Sequence, residues 1–257
     1  MKSAITTSLG NILGQNNIIE QLYNKIKDLM YVLRYDKKAQ SIIGGIVSIN
    51  LFFIFLHFFV RLSAHSGMFE ELILALYLDS SRFRLDRDLG FAEWFNYMQT
   101  IMCAWLLLGV SRATRQPLYG AWALIFLFVV LDDSLKIHEK LGSYIVGAFD
   151  IPALPGLRPQ DSGELLVWAV IGSVLLGILW RGFARSGRSA RAAGGVLALA
   201  FAALIFFAIG IDMVHVASSG PVASALMAVL EDGGEMLSIG LACALALLLY
   251  RHPALAH

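Results

Sequence analysis

The feature that most constrains this chain is a set of six apolar runs, each near the ~20 residues a helix needs to cross a bilayer. They are Ile42–Phe59, Phe95–Val110, Leu118–Leu135, Leu165–Trp180, Val196–Val216 and Met236–Tyr250. Inside hydrocarbon every backbone N–H and C=O must be satisfied within the protein, so runs of this kind fold as helices. Composition agrees: 58% of the 257 residues are apolar and 15% are charged, against about 25% charged in a soluble domain. The expected fold is all-α, a polytopic transmembrane helix bundle of about six spans. It divides into an N-terminal arm (1–40), a six-helix domain (41–251) and a short tail (252–257).

The arm is polar apart from one stripe, Ile18, Ile19, Leu22, Ile26, Leu29, Met30 and Leu33, at helical spacing. Such an amphipathic helix either lies on the membrane surface or docks on the bundle, and residues 1–35 could also grip a membrane-protein partner. With the N-terminus cytoplasmic, thirteen Lys and Arg fall on the inner side and seven on the outer. Positive charge collects inside, so both termini are expected in the cytoplasm of a multi-pass cell-membrane protein, in a bacterial inner membrane. Cys103 and Cys243 both lie within apolar runs and read as packing residues rather than a disulfide. No phosphate-binding glycine loop and no compact basic face is present, so no nucleic acid is expected as a partner.

This orientation gathers the unusual polar residues at the outer side. The first span ends near His57; the second begins with Glu93, Asn96 and Gln99; the third ends in Asp132, Asp133, His138 and Glu139. The fifth carries Asp212 and His215 late, and the sixth opens with Glu231, Asp232 and Glu235, whereas the fourth adds nothing comparable. An ionised group deep in a span costs about 2.5–3.5 kcal/mol, which calls for water, a partner or an ion. One shared outer cavity meets that need for all of them. Asp132, His138, Asp212, His215, Glu231 and Glu235 are the candidate metal ligands. His57, Glu93, Asn96, Gln99 and Asp133 are candidate lining residues. Mixed carboxylate and imidazole donors suit zinc, iron or manganese, so a divalent metal ion is the expected cofactor. His138 points about a quarter turn from Glu139 on a straight helix, so it joins the site only if the third helix bends.

Leu131-Asp132-Asp133 followed by His138-Glu139 resembles a Leu-Asp-(Glu/Asp)…His-Glu signature of uncharacterised bacterial multi-pass membrane proteins. Glu231-Asp232-Gly233-Gly234-Glu235-Met236 is similar to the acidic pair that opens their last helix. The resemblance spans roughly Leu118 to Tyr250. It implies no activity, only that these positions matter, and Asp133 stands where a glutamate is more usual. A mechanistic analogy also links His57, His138, His215, Asp132 and Ser134 to multi-pass hydrolases of the alkaline-ceramidase kind, although their late histidine pair is missing here.

The expected function is an outward-facing carboxylate and histidine site in the membrane, a metal-dependent enzyme acting on a lipid or other amphiphile. Glu139 or Glu235 would be its base. The alternatives are a non-catalytic subunit of a larger complex and a cation or proton transporter. The topology has a direct check. Cysteines at positions 90, 160 and 220 should label from outside and those at 113 and 188 only from inside; external labelling at 188 would overturn the scheme.

Overall fold

The computed structural model describes residues 18–66, 80–152, 158–217 and 220–257. Among these residues the chain is helical and has no strand. The expected all-α bundle is what forms. The amphipathic arm is helix α1 (Ile18–Tyr35), and α2 (Lys37–Ser66) follows after a single residue, Asp36. Then come α3 (Phe91–Thr114), α4 (Pro117–Leu135), α5 (Ile137–Phe149), α6 (Pro159–Ala184) and α7 (Arg188–Ile205). A π-helical stretch, Phe206–Ile211, links α7 to the short α8 (Asp212–Ala217), and α9 (Pro221–Arg251) closes the bundle.

Among the described residues five segments are long and apolar enough to cross a membrane: Lys37–Phe59, Pro117–Leu135, Pro159–Ala184, Arg188–His215 and Leu226–Arg251. Helix α3, the remaining expected span, is not among them, because Glu93, Asn96, Gln99 and Thr100 dilute its first half. At 24 residues it is still about 36 Å long, and it packs between α4 and α9 as a full member of the bundle.

Helix α9 is the hub, touching α2, α3 and α7. The tightest packing lies at the end where both described chain ends meet. There Leu107, Tyr119, Trp122, Phe126, Leu197 and Leu249 are almost wholly buried. Cys103 and Cys243 are free thiols buried in the same core, as their apolar context implied.

Residues 18–35 of the arm dock on the bundle rather than standing clear of it. The Lys25 amine is buried and donates to Ser189 Oγ (2.8 Å) and to the Leu255 carbonyl (2.9 Å). Leu22 and Leu29 pack inward, while Ile18, Ile19 and Met30 stay exposed. Asp36 ties the same end together. It accepts from the Ala39 N–H (3.0 Å), capping α2, and from Arg251 Nε (2.7 Å) and His252 Nε2 (2.8 Å). The Arg251 bonds, then the Ala39 and His252 bonds, hold the Asp36 carboxyl below the usual carboxylate range.

Two parts of the end away from Asp36 and Arg251 differ from the sequence expectation. The stretch after Asp132 does not continue as one helix. Lys136 is left-handed (φ 53°, ψ 48°), ending α4, and beyond this bend α5 packs on α6. Ile137, Leu141, Tyr144 and Ile145 carry the helical spacing of α5, with polar residues between them. The stretch Ile151–Pro159, whose Pro152, Pro155, Gly156 and Pro159 predict a non-helical crossing, has its middle, 153–157, outside the described residues. Its last residue, Pro159, is already the first turn of α6, a position where proline's missing N–H costs nothing. Met68–Leu78, where Phe69, Leu72, Ile73 and Leu76 at helical spacing predict a short amphipathic helix covering the site, lies outside the described residues.

Helix α6 is held through α4 and α5, and it makes at most marginal contact with α7, its successor in the chain. The α5–α6 contact depends on Gly142 and Gly163, whose backbones meet. A Cβ on Gly142 would come 2.7 Å from the Glu164 backbone nitrogen. Gly142→Ala is therefore expected to destabilise the protein by about 1–3 kcal/mol in detergent unfolding, the cost of overpacking. Gly147→Ala, on the same helix with no atom near its Cβ position, is expected to be neutral or slightly stabilising. Equal effects of the two substitutions would contradict this packing.

Candidate functional site

The break at Lys136 organises the site. By ending α4, it swings the next turn over the end of that helix. The His138 backbone N–H then donates to Asp132 Oδ1 (3.0 Å), and His138 Nδ1 pairs with Asp132 Oδ2 (2.6 Å). Asp132, 1% exposed, thus has both carboxylate oxygens bonded. The carboxylate fixes the tautomer, with the proton on Nδ1 and Nε2 left for another group. The bend that sequence spacing required for His138 to join the site is this break.

A second pair forms across α8 and α9. His215 Nδ1 lies 2.6 Å from Glu231 Oε2, and its Nε2 lies 3.2 Å from Ser224 Oγ. The π-helical stretch precedes Asp212 directly. Extra residues of this kind re-aim the side chains of the next helical turn, and π-turns recur at functional sites.

Both pairs border one cavity of about 830 Å³. Of the residues the sequence singled out, Glu93, Asn96, Asp132, Asp133, His138, Glu139, Asp212, His215, Glu231 and Glu235 line it. His57 and Gln99 are held elsewhere. His57 is buried with its Nδ1 accepting from the Leu85 N–H (3.0 Å). Gln99 exchanges side-chain bonds with Asn50 of α2 (2.9 and 3.2 Å), and Asn50 also donates to the Met236 carbonyl (3.1 Å). His57 lies on α2 itself and Gln99 faces it, and among the described residues α2 contributes no lining residue.

The fourth span does add to the site, contrary to the sequence reading. Arg158, Gln160, Glu164 and Trp168 all line the cavity. Gln160, Glu164, Trp168 and Gly172 recur every four residues, so a stripe was there to be read. Asp86 and Asp88, which the sequence expectation did not include, line the cavity as well. Lys136 pairs with Asp88 (2.6 Å) and lies 3.5 Å from Glu139.

The cavity is polar at this end and apolar along its length. It continues past Val130 and Ile125 toward Trp122, between Leu175, Leu176 and Leu179 of α6 and Phe201, Ala202 and Ile205 of α7. Among the described residues no three His, Cys, Asp or Glu side chains converge closely enough to hold a metal ion. The expected ligand set is instead divided between the Asp132–His138 and Glu231–His215 pairs and the separate carboxylates of Asp212 and Glu235.

A family model described as "Domain of unknown function (DUF8692)" matches residues 78–249. That is about two thirds of the chain, and the chain belongs to this family. The matched segment contains every residue that lines the cavity, whereas α1 and α2 precede it. Neither the curated proteins nor the solved structures yield a match.

Burial pulls the His138 imidazole down, but the Asp132 carboxylate more than offsets this, leaving its pKa above the ordinary value of about 6.5. A raised histidine pKa stabilises the fold fully below the unfolded value. That contribution is lost as pH rises through the folded one. Histidine-selective NMR in micelles should find His138 titrating above ordinary histidine, with a lower midpoint in Asp132→Asn. An unchanged or higher midpoint in the variant would contradict the pairing.

Proposed function

We propose that this member of the DUF8692 family is a membrane-embedded enzyme that performs acid–base chemistry at the head group of an amphiphile. The observation that carries the reading is the Asp132–His138 pair at the polar end of a cavity whose other end is an apolar cleft. A soluble substrate has no use for the cleft, and a packed structural network has no use for a cavity of this size.

In this reading His138 is the base. Its Nδ1 is committed to Asp132, so Nε2 takes the proton from a water or a head-group hydroxyl, and Asp132 stabilises the imidazolium that results. His215 is less suited, because both of its ring nitrogens are already engaged. Glu139 and Glu235, the carboxylates singled out from sequence, then serve as second proton carriers or as contacts to the head group. The outward orientation inferred from loop charge places the polar chamber at the outer membrane surface.

The subunit alternative would rest on the outward face of the arm, where Ile18, Ile19 and Met30 are exposed, since its inner face braces α7 and the C-terminal tail. A metal-dependent variant of the enzyme reading draws on the same carboxylates and has its own readout.

Purified protein should be incubated in vesicles made from a total membrane lipid extract and the products followed by mass spectrometry. One amphiphile class should be converted, and His138→Gln should slow its conversion about 100-fold or more, the usual worth of a general base. Undiminished turnover by that variant, or no conversion by the unaltered protein, would remove the reading. Zinc, iron or manganese retained at one equivalent through purification would transfer His138 from base to ligand.

A further inference from the structure

We propose that the amphiphile carries a protonated amine in its head group and enters the cavity sideways from the membrane, between α6 and α7. This inference rests on the amphiphile reading above and adds the charge of the head group and the route.

The head group is set by the chamber's missing charge. Eleven carboxylates line the cavity against two guanidinium groups, Arg87 and Arg158, and two imidazoles. Several carboxylates are already paired, with His138, His215 and Lys136. Asp133, Asp212, Asp232 and Glu235 make no hydrogen bond or ion pair among the described residues, and they come from three separate helices.

A second and independent sign is Asn96, 8% exposed, which lines the same chamber and whose Oδ1 is bonded to nothing among the described residues. Leaving a buried acceptor unsatisfied costs about 1–3 kcal/mol, which a ligand that donates to it recovers. All of these unmet groups accept hydrogen bonds. An ammonium group supplies what they need, since it is a cation with three donors and no acceptor. A compact divalent ion suits them less well. It needs ligands at about 2.0–2.6 Å, and among the described residues no three candidate side chains converge.

The route is set by the packing. Helices α6 and α7 leave the cleft between them unfilled. Its lining residue Leu176 is 66% exposed, and Ile205 is exposed as well. From Glu164 to Leu179 the cleft runs fifteen residues along α6, or about 22 Å. That exceeds half the ~30 Å hydrocarbon core, so a full alkyl chain fits beside the helix while its head lies among the carboxylates.

The test uses the full-length protein in nonionic detergent with three probes that share one tail: hexadecylamine, hexadecanol and hexadecanoate. Binding is read by quenching of tryptophan fluorescence, since Trp122 and Trp168 line the cavity. The amine should bind at least about tenfold more tightly than the alcohol, as charge-assisted bonds would provide, and the acid most weakly. The double variant Asp212→Asn, Glu235→Gln should reduce the amine to the affinity of the alcohol, and Leu176→Trp should weaken all three. If the alcohol or acid binds as tightly as the amine, the amine proposal falls and the amphiphile reading stands. If no probe binds, both fall. The comparison on the unaltered protein decides the head-group question even if a variant fails to fold.

Discussion

Placing carboxylates inside an apolar bundle is the constraint on which this structure turns. Each one costs about 2.5–3.5 kcal/mol in a span, and that cost is met only by a bond, by water or by a ligand. Asp132 is met by bonds. The left-handed Lys136 ends α4 and lets His138 turn back, so that a backbone N–H and a ring nitrogen meet the two oxygens of one buried carboxylate. The same break starts α5, which holds α6 through the Gly142–Gly163 contact. The pair and the outer wall of the cavity therefore have one local cause.

The molecule is accordingly unequal along its length. At one end α9, α3, α4 and α7 pack around Tyr119, Trp122 and Phe126, braced by the Lys25 and Asp36 contacts that join the first described helix to the last residues. At the other end the helices separate around the cavity. A rigid base fixes where the helix ends point, and the open end provides room for chemistry. The separation of α6 from α7 is part of this division, because it connects the polar chamber to the place where lipid tails would lie.

Much of this was legible in the sequence. Runs of about 20 apolar residues fix the helices, and carboxylates near the ends of those runs mark the chamber. Asp212 stands out because apolar sequence continues on either side of it, and Asp132 and Glu235 because each adjoins a long apolar run. Periodicity could not express the rest. His138 depends on a single left-handed residue that is a lysine, not the glycine that would have announced a break. Gln160 and Glu164 were overlooked because acidic and amide residues at a helix start are common and draw no notice. Gln99 and His57 share the polar look of the site, but their partners, Asn50 and the Leu85 N–H, lie in segments far away in the chain. Spacing alone does not say which of two faces a helix turns toward the cavity.

The central claim is that the space between α6 and α7 belongs to an amphiphile whose head reaches the Asp132–His138 pair. A cryo-electron microscopy map of the protein in nanodiscs of native lipid addresses it most directly. The account expects elongated density beside Leu175, Leu176 and Leu179, ending within hydrogen-bonding reach of the His138 ring. A map in which α6 packs directly against α7, with no space between Leu176 and Ile205, would contradict it.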